Sequence, residues 1–256
     1  MPKTKLYSEL TDLTKLVTKE TGYRVLVQKG CTLTNRIGKK VLSRFDYKKK
    51  CLIVFYNPKL PSPEYALAHE LVKFLRVANT SDSNQLLVMP TKKGMRQAIR
   101  LMQKELKETG FSTYLSEHEL QLFILSLLGL LVNTPGNFWI SKTLYEYPQL
   151  KKESLKELRK MFSSKEIKMK LASVKRNPNT FLKAQVALDA AYALYLDKLW
   201  GKIKFFKPYE GTELEKVAVK LVNLNKKDKG YAGDIEVIQK WGKALGLDGF
   251  FKLKRM

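Results

Sequence analysis

Apolar side chains at Leu6, Leu10, Leu13, Leu16 and Val17 recur at the three-four spacing of an amphipathic helix, which predicts a helix over residues 4–21. Three β-rich runs follow, at 23–27, at 31–34 with 41–45, and at 51–55. They are separated by Lys29-Gly30, Arg36-Ile37-Gly38 and the lysine-rich 46–50. Alternation and turn chemistry predict a small antiparallel sheet with solvated lysine tips. The proline-rich stretch 57–63 ends the strand pattern and offers Ser62 as N-cap, with Pro63 at the first helical position. From residue 94 the periodicity is helical: 94–109, 116–132, 138–146, 151–162, 178–200, 212–224 and 235–245. The break between the second and third falls at Asn133-Thr134-Pro135. The fifth contains an alanine-rich run, 184–193, whose small residues permit close helix packing. The pattern describes an α+β fold in which a small antiparallel sheet packs on helices and the C-terminal half is mainly helical. With no strong linker, one domain over 1–256 is expected.

Composition adds the abnormal quantity. Across 256 residues, 48 lysines and arginines face 24 aspartates and glutamates, a net charge of +24. Such an excess opposes compaction through self-repulsion and points to a polyanionic neighbour, either nucleic acid or a nucleoprotein assembly. An acidic protein partner fits the charge equally well. Local clusters include Lys48, Lys49 and Lys50, then Lys92 and Lys93, then Lys226 and Lys227, and finally Lys254 and Arg255. Lysine point charges favour sequence-independent phosphate contact over base readout. No helix-turn-helix, RNA-recognition or zinc-finger pattern accompanies them. The run 202–209 interleaves lysines with Phe205, Phe206 and Tyr209, which suits either stacking on a single strand or burial in a core.

Cys31 and Cys51 form neither a disulfide framework nor a metal knuckle and are expected to be buried thiols. The first residues carry no apolar run, and the longest apolar stretch, 120–132, is too short to span a bilayer. A cytoplasmic protein without membrane contact is the expectation.

One stretch carries candidate chemistry: Ala68-His69-Glu70-Leu71-Val72-Lys73. In HExxH, two histidines four apart share one helical face and one zinc ion, with the glutamate beside the bound water as general base. His69 and Glu70 are in place, but Lys73 occupies the second ligand position, and an ammonium carries donors only. Farther on, Glu119-Leu120-Gln121-Leu122-Phe123-Ile124 precedes Leu127-Leu128 and Pro135.

On these two stretches the chain resembles bacterial zincin-like metallopeptidases of the ImmA/IrrE type, whose later Glu-Ala-Asn-x-Phe-Ala helix supplies a third ligand. The resemblance implies a zincin-type helix pair in a core over 1–132, with a helical extension over 133–256. It also implies His69 and Glu119 as metal ligands and Glu70 as catalytic base, were zinc retained. Lys73, Gln121 and Ile124 depart from the family pattern. Two protein ligands fall short of the three typical of catalytic zinc. His118, next to Glu119, or a carboxylate such as Glu64 or Glu117 would have to complete the set.

The expected function is therefore an inactive metallopeptidase-fold protein without cofactor, acting as a basic, sequence-independent nucleic-acid-binding or nucleoprotein-assembly component. In that reading Lys73 replaces the metal and neutralises Glu119, with Glu70 in reach. Alternatively, Lys73 extends to solvent along its methylenes. Two further readings stay open: an active zinc peptidase with another third ligand, and an adaptor for an acidic protein.

Overall fold

The computed structural model describes residues 8–29, 41–46, 49–56, 62–80, 86–110, 115–201 and 203–255. It is mainly helical with two small sheets, an α+β architecture. The fold divides into two compact units, the first within residues 1–81 and 140–160, the second within 82–139 and 161–256. The division thus falls at 81/82 and inside one long helix, not at 132/133.

The first unit opens with α1 (Ser8–Thr21), followed by β1 (Arg24–Lys29), β2 (Val41–Asp46), β3 (Cys51–Tyr56) and α2 (Pro63–Ala78). Leu10, Leu13 and Val17 of α1 are buried at the expected spacing. They pack with Leu52, Val54 and Tyr56 of β3 and with Leu67, Leu71 and Phe74 of α2. The sheet is mixed, which corrects the antiparallel expectation: the order is β1-β3-β2, with β1 parallel to β3 and β2 antiparallel to it. The short Asp46–Cys51 turn folds β2 back onto one side of β3, while β1 takes the other side. Parallel neighbours cannot be joined by a hairpin, and residues 30–50 separate β1 from β3. The predicted run 31–34 lies outside the described residues, as does Cys31; Cys51 is buried and free.

Ser62 takes the N-cap position before Pro63, as its sequence suggests, but its hydroxyl makes no cap bond. It donates instead toward two carboxylates of α5 (Pro148–Met161), lying 2.8 Å from Glu153 Oε2 and 3.1 Å from Glu157 Oε1. At the other end of the same packing, Glu9 of α1 accepts the Gln149 and Leu150 amides that open α5.

The second unit holds β4 (Leu86–Pro90), α3 (Lys92–Glu108), most of α4 (Glu117–Tyr145), then α6 (Ser164–Arg176), α7 (Thr180–Trp200), α8 (Glu213–Leu224), α9 (Gly230–Ala244) and β5 (Phe251–Arg255). The two helices expected at 116–132 and 138–146 are one, because Pro135 is accommodated. A proline removes one backbone donor and crowds the preceding turn. Here Asn133 Nδ2 and Thr134 Oγ1 donate to the Gly129 and Leu130 carbonyls, each at 2.7 Å, and so hold that turn. The resulting 29-residue helix is long and apolar enough to cross a bilayer, yet half of its most apolar window is buried in the protein.

The core of this unit is aromatic. Phe138 stacks on Tyr195 at 4.1 Å between centroids and meets Trp241 edge-on at 5.6 Å. The Trp241 indole donates to the Leu221 carbonyl at 2.9 Å. Along α7, Ala184, Ala187, Ala190, Ala191 and Ala193 are buried, as their size suggested. Lys170 reaches from α6 to Asp189 of α7 at 2.6 Å. Burial raises the Asp189 pKa, and the Lys170 ammonium opposes that rise. Phe205, Phe206 and Tyr209 are buried as well, and both carboxylate oxygens of Asp197 accept the Phe205 and Phe206 amides. The stacking reading of 202–209 is thereby withdrawn, since its rings already belong to the core.

Ser62→Ala removes the donor shared by two partly buried carboxylates. It should lower stability in urea unfolding by about 1.5–3 kcal/mol, the usual worth of a hydrogen bond to a charged group, while Lys156 and Lys160 still pair with the two carboxylates. A change within about 0.5 kcal/mol, the range of neutral surface substitutions, would mean that water replaces the serine.

Candidate nucleic-acid interface

His69, Glu70 and Lys73 all lie on α2 in the first unit. His69 is half-buried, with its ring edge-on to Tyr65 at 6.0 Å. Glu70 is also half-buried, whereas Lys73 is exposed. Glu119 lies in the second unit, in the first turn of α4. It too is exposed, so neither Lys73 nor Glu119 is a buried charge in need of a counter-ion. Among the described residues, no three His, Cys, Asp or Glu side chains gather into a metal-sized cluster.

Glu119 has a local role that the sequence also encodes. The Ser116 amide and hydroxyl donate to Glu119 Oε2 at 2.7 and 2.8 Å, and the Glu119 amide reaches back to Ser116 Oγ at 3.3 Å. This is the reciprocal capping box of an S-x-x-E helix start. The two Ser116 bonds favour the ionised carboxylate and hold its pKa below the ordinary value.

The lysines singled out by clustering lie on different elements. Lys49 and Lys50 are exposed at the β2–β3 turn, where Lys50 adopts φ +45°; Lys48 lies outside the described residues. Lys226 and Lys227 are exposed between α8 and α9. Lys254 is exposed on β5, whose last residue, Arg255, has a side chain outside the described set.

A concentration of cations also lies on α3, where clustering along the sequence flagged only Lys92 and Lys93. With Arg96 and Arg100 one and two turns on, these cations share one polar face at helical spacing, a signal the sequence also carried. Together with Gln97 they line an open cavity of about 440 Å³, with no acid among its described lining residues. The first turn of α3 also lacks any acid, although a helix N-terminus favours negative charge. Two lysines at the positive end of a helix leave that end doubly suited to an anion.

Backbone packing brings the start of β5 against the start of α3. The Thr91 amide donates to the Phe250 carbonyl at 3.2 Å, and Thr91 Oγ1 caps α3 by accepting the Gly94 amide at 2.8 Å. A Cβ on Gly94 would sit 2.7 Å from both the Cα and the carbonyl oxygen of Phe250, so only glycine permits this approach. From there β5 runs antiparallel to β4, pairing Met89 with Lys252. Lys252 and Lys254 are exposed on one face of that ladder, alternating with buried Phe251 and half-buried Leu253.

No protein-family model matches the chain, and neither curated proteins nor solved structures show a significant match to it. The structure defines a class of molecule: a mainly helical α+β protein with a cationic face on α3 and exposed lysines on β5.

The capping role has a pH signature. Because the folded pKa of Glu119 is depressed, its contribution is present above the unfolded carboxyl pKa and is lost as pH falls through the folded value. In an NMR titration the Glu119 carboxyl carbon should titrate below an ordinary glutamate and return to the ordinary range in Ser116→Ala. Zinc should leave the resonance in place; a saturable zinc-dependent shift would restore Glu119 as a metal ligand.

Proposed function

We propose that this protein is a basic, sequence-independent nucleic-acid-binding component, built on a chain of zincin-like ancestry whose zinc site no longer works. The observation that carries the binding half is the patch of Lys92, Lys93, Arg96 and Arg100 at the N-terminus of α3, which has no acid among its described lining residues. Arginine guanidinium groups make bidentate phosphate contacts, lysines supply mobile point charges, and the helix end adds its partial positive charge. Lys252 and Lys254 extend the footprint. With Phe205, Phe206 and Tyr209 buried, these contacts engage the phosphate backbone and leave base stacking aside. The pseudoenzyme half is supported by Lys73, exposed at the second ligand position, and by the engagement of Glu119 in its capping box.

Six phosphate contacts imply that log Kobs for duplex DNA falls against log salt with a slope of about −5. Filter binding across a salt series should show this slope for oligonucleotides of unrelated sequence. Arg96→Gln combined with Arg100→Gln should flatten it by about 2. Affinity that does not respond to salt, or that changes steeply with base sequence, would remove the proposal.

A further inference from the structure

The cations that open α3 continue down the helix. Lys104 and Lys107 follow Lys92, Lys93, Arg96 and Arg100, and all six are exposed. At about 100° per residue they fall within an arc of about 120°, and from first to last they span about 22 Å of helix axis. Lys92 and Arg96 fall to one side of that arc, Lys93 and Lys104 to the other. The opposite face, with Met95, Ala98, Ile99, Met102 and Leu106, is buried. Neither acid of α3 lies inside the arc. Glu105 accepts the Thr180 amide and hydroxyl at 3.0 and 2.6 Å. Glu108 sits about 40° beyond the last lysine row, 4.0 Å from Lys104 in a solvated pair. Glu117 of α4 bounds the stripe on the Lys92 and Arg96 side. The helix carries no aromatic residue.

We propose that α3 lies lengthwise in the major groove of duplex DNA, with the cations on the two sides of its stripe meeting the phosphates of the two strands. The inference rests on the nucleic-acid reading above and names which nucleic acid. A helix with its side chains is about 10–12 Å wide, which the B-form major groove of about 12 Å admits and the minor groove of about 6 Å does not. The major groove of A-form RNA is deep and narrow and excludes a helix. A single strand offers one row of phosphates and is held by stacking its bases on aromatic rings, and α3 has none. An interfacial helix enters a bilayer through its apolar face, and that face of α3 is buried in its own core. The six cations of this one helix supply six phosphate contacts by themselves. Their long stems reach the groove walls, so the contact stays independent of base sequence.

The test uses the full chain and fluorescence anisotropy, with one mixed base sequence presented as DNA duplex, DNA single strand and RNA duplex. The DNA duplex should bind at least about tenfold tighter than either of the others. A DNA duplex with glucosylated cytosines, which crowd the major groove and leave the phosphates unchanged, should bind at least about tenfold less well than the plain duplex. Lys104→Gln with Lys107→Gln should flatten the salt slope on duplex DNA by about 2. Both lysines are exposed, so the double variant should fold. Equal affinity for the RNA duplex or the single strand, indifference to glucosylation, or an unchanged slope in the lysine variant would each overturn the groove proposal. Those outcomes leave phosphate contact through Arg96 and Arg100 standing, whereas failure to bind any of the three nucleic acids would strike both.

Discussion

The second unit turns on a missing side chain. Gly94 lets the first turn of α3 close against the backbone of Phe250, and that contact makes the two basic elements neighbours. Without it Thr91 could not both cap α3 and donate its amide to the Phe250 carbonyl. β5 starts at the next residue, so its ladder with β4 begins where α3 begins. Any Cβ at this position meets main chain, which cannot rotate away as a flexible side chain would. The contact between α3 and β5 therefore depends on a backbone approach that carries no charge itself.

A second constraint concerns the acids. Half as numerous as the cations, they are widely used to hold backbone amides. Glu9 accepts from the start of α5, Glu105 from Thr180 at the start of α7, Glu119 from Ser116, Asp197 from Phe205 and Phe206, and Glu215 from Gly211. A carboxylate bound to amide donors makes a charge-assisted hydrogen bond and satisfies groups that helix ends and turns leave open. The ion pairs that do form among exposed residues, such as Lys104 with Glu108 at 4.0 Å, are solvated and weak. Fixing acids at helix ends leaves many lysines facing water, which concentrates the effect of the net charge on the surface.

Much of this was legible along the chain, and the failures share a cause. The amphipathic spacing of α1, the Ser62-Pro63 start of α2, the alanine face of α7 and the polar break before α9 are local signals, and they appear where the residues put them. Partners distant in sequence were invisible: β4 and β5 pair across more than 160 positions, and β1 lies parallel to β3 because of a crossover that no turn motif announces. The helix runs on through Pro135, whose own carbonyl accepts the Asn225 side-chain amide across 90 positions, a partner no local pattern shows. Glu119 shows how two short patterns compete: the same residue completes a metallopeptidase-like run and an S-x-x-E cap, and sequence alone does not rank them. The cationic face was missed for a different reason, since contiguous lysines draw the eye more than Arg96 and Arg100 at helical spacing.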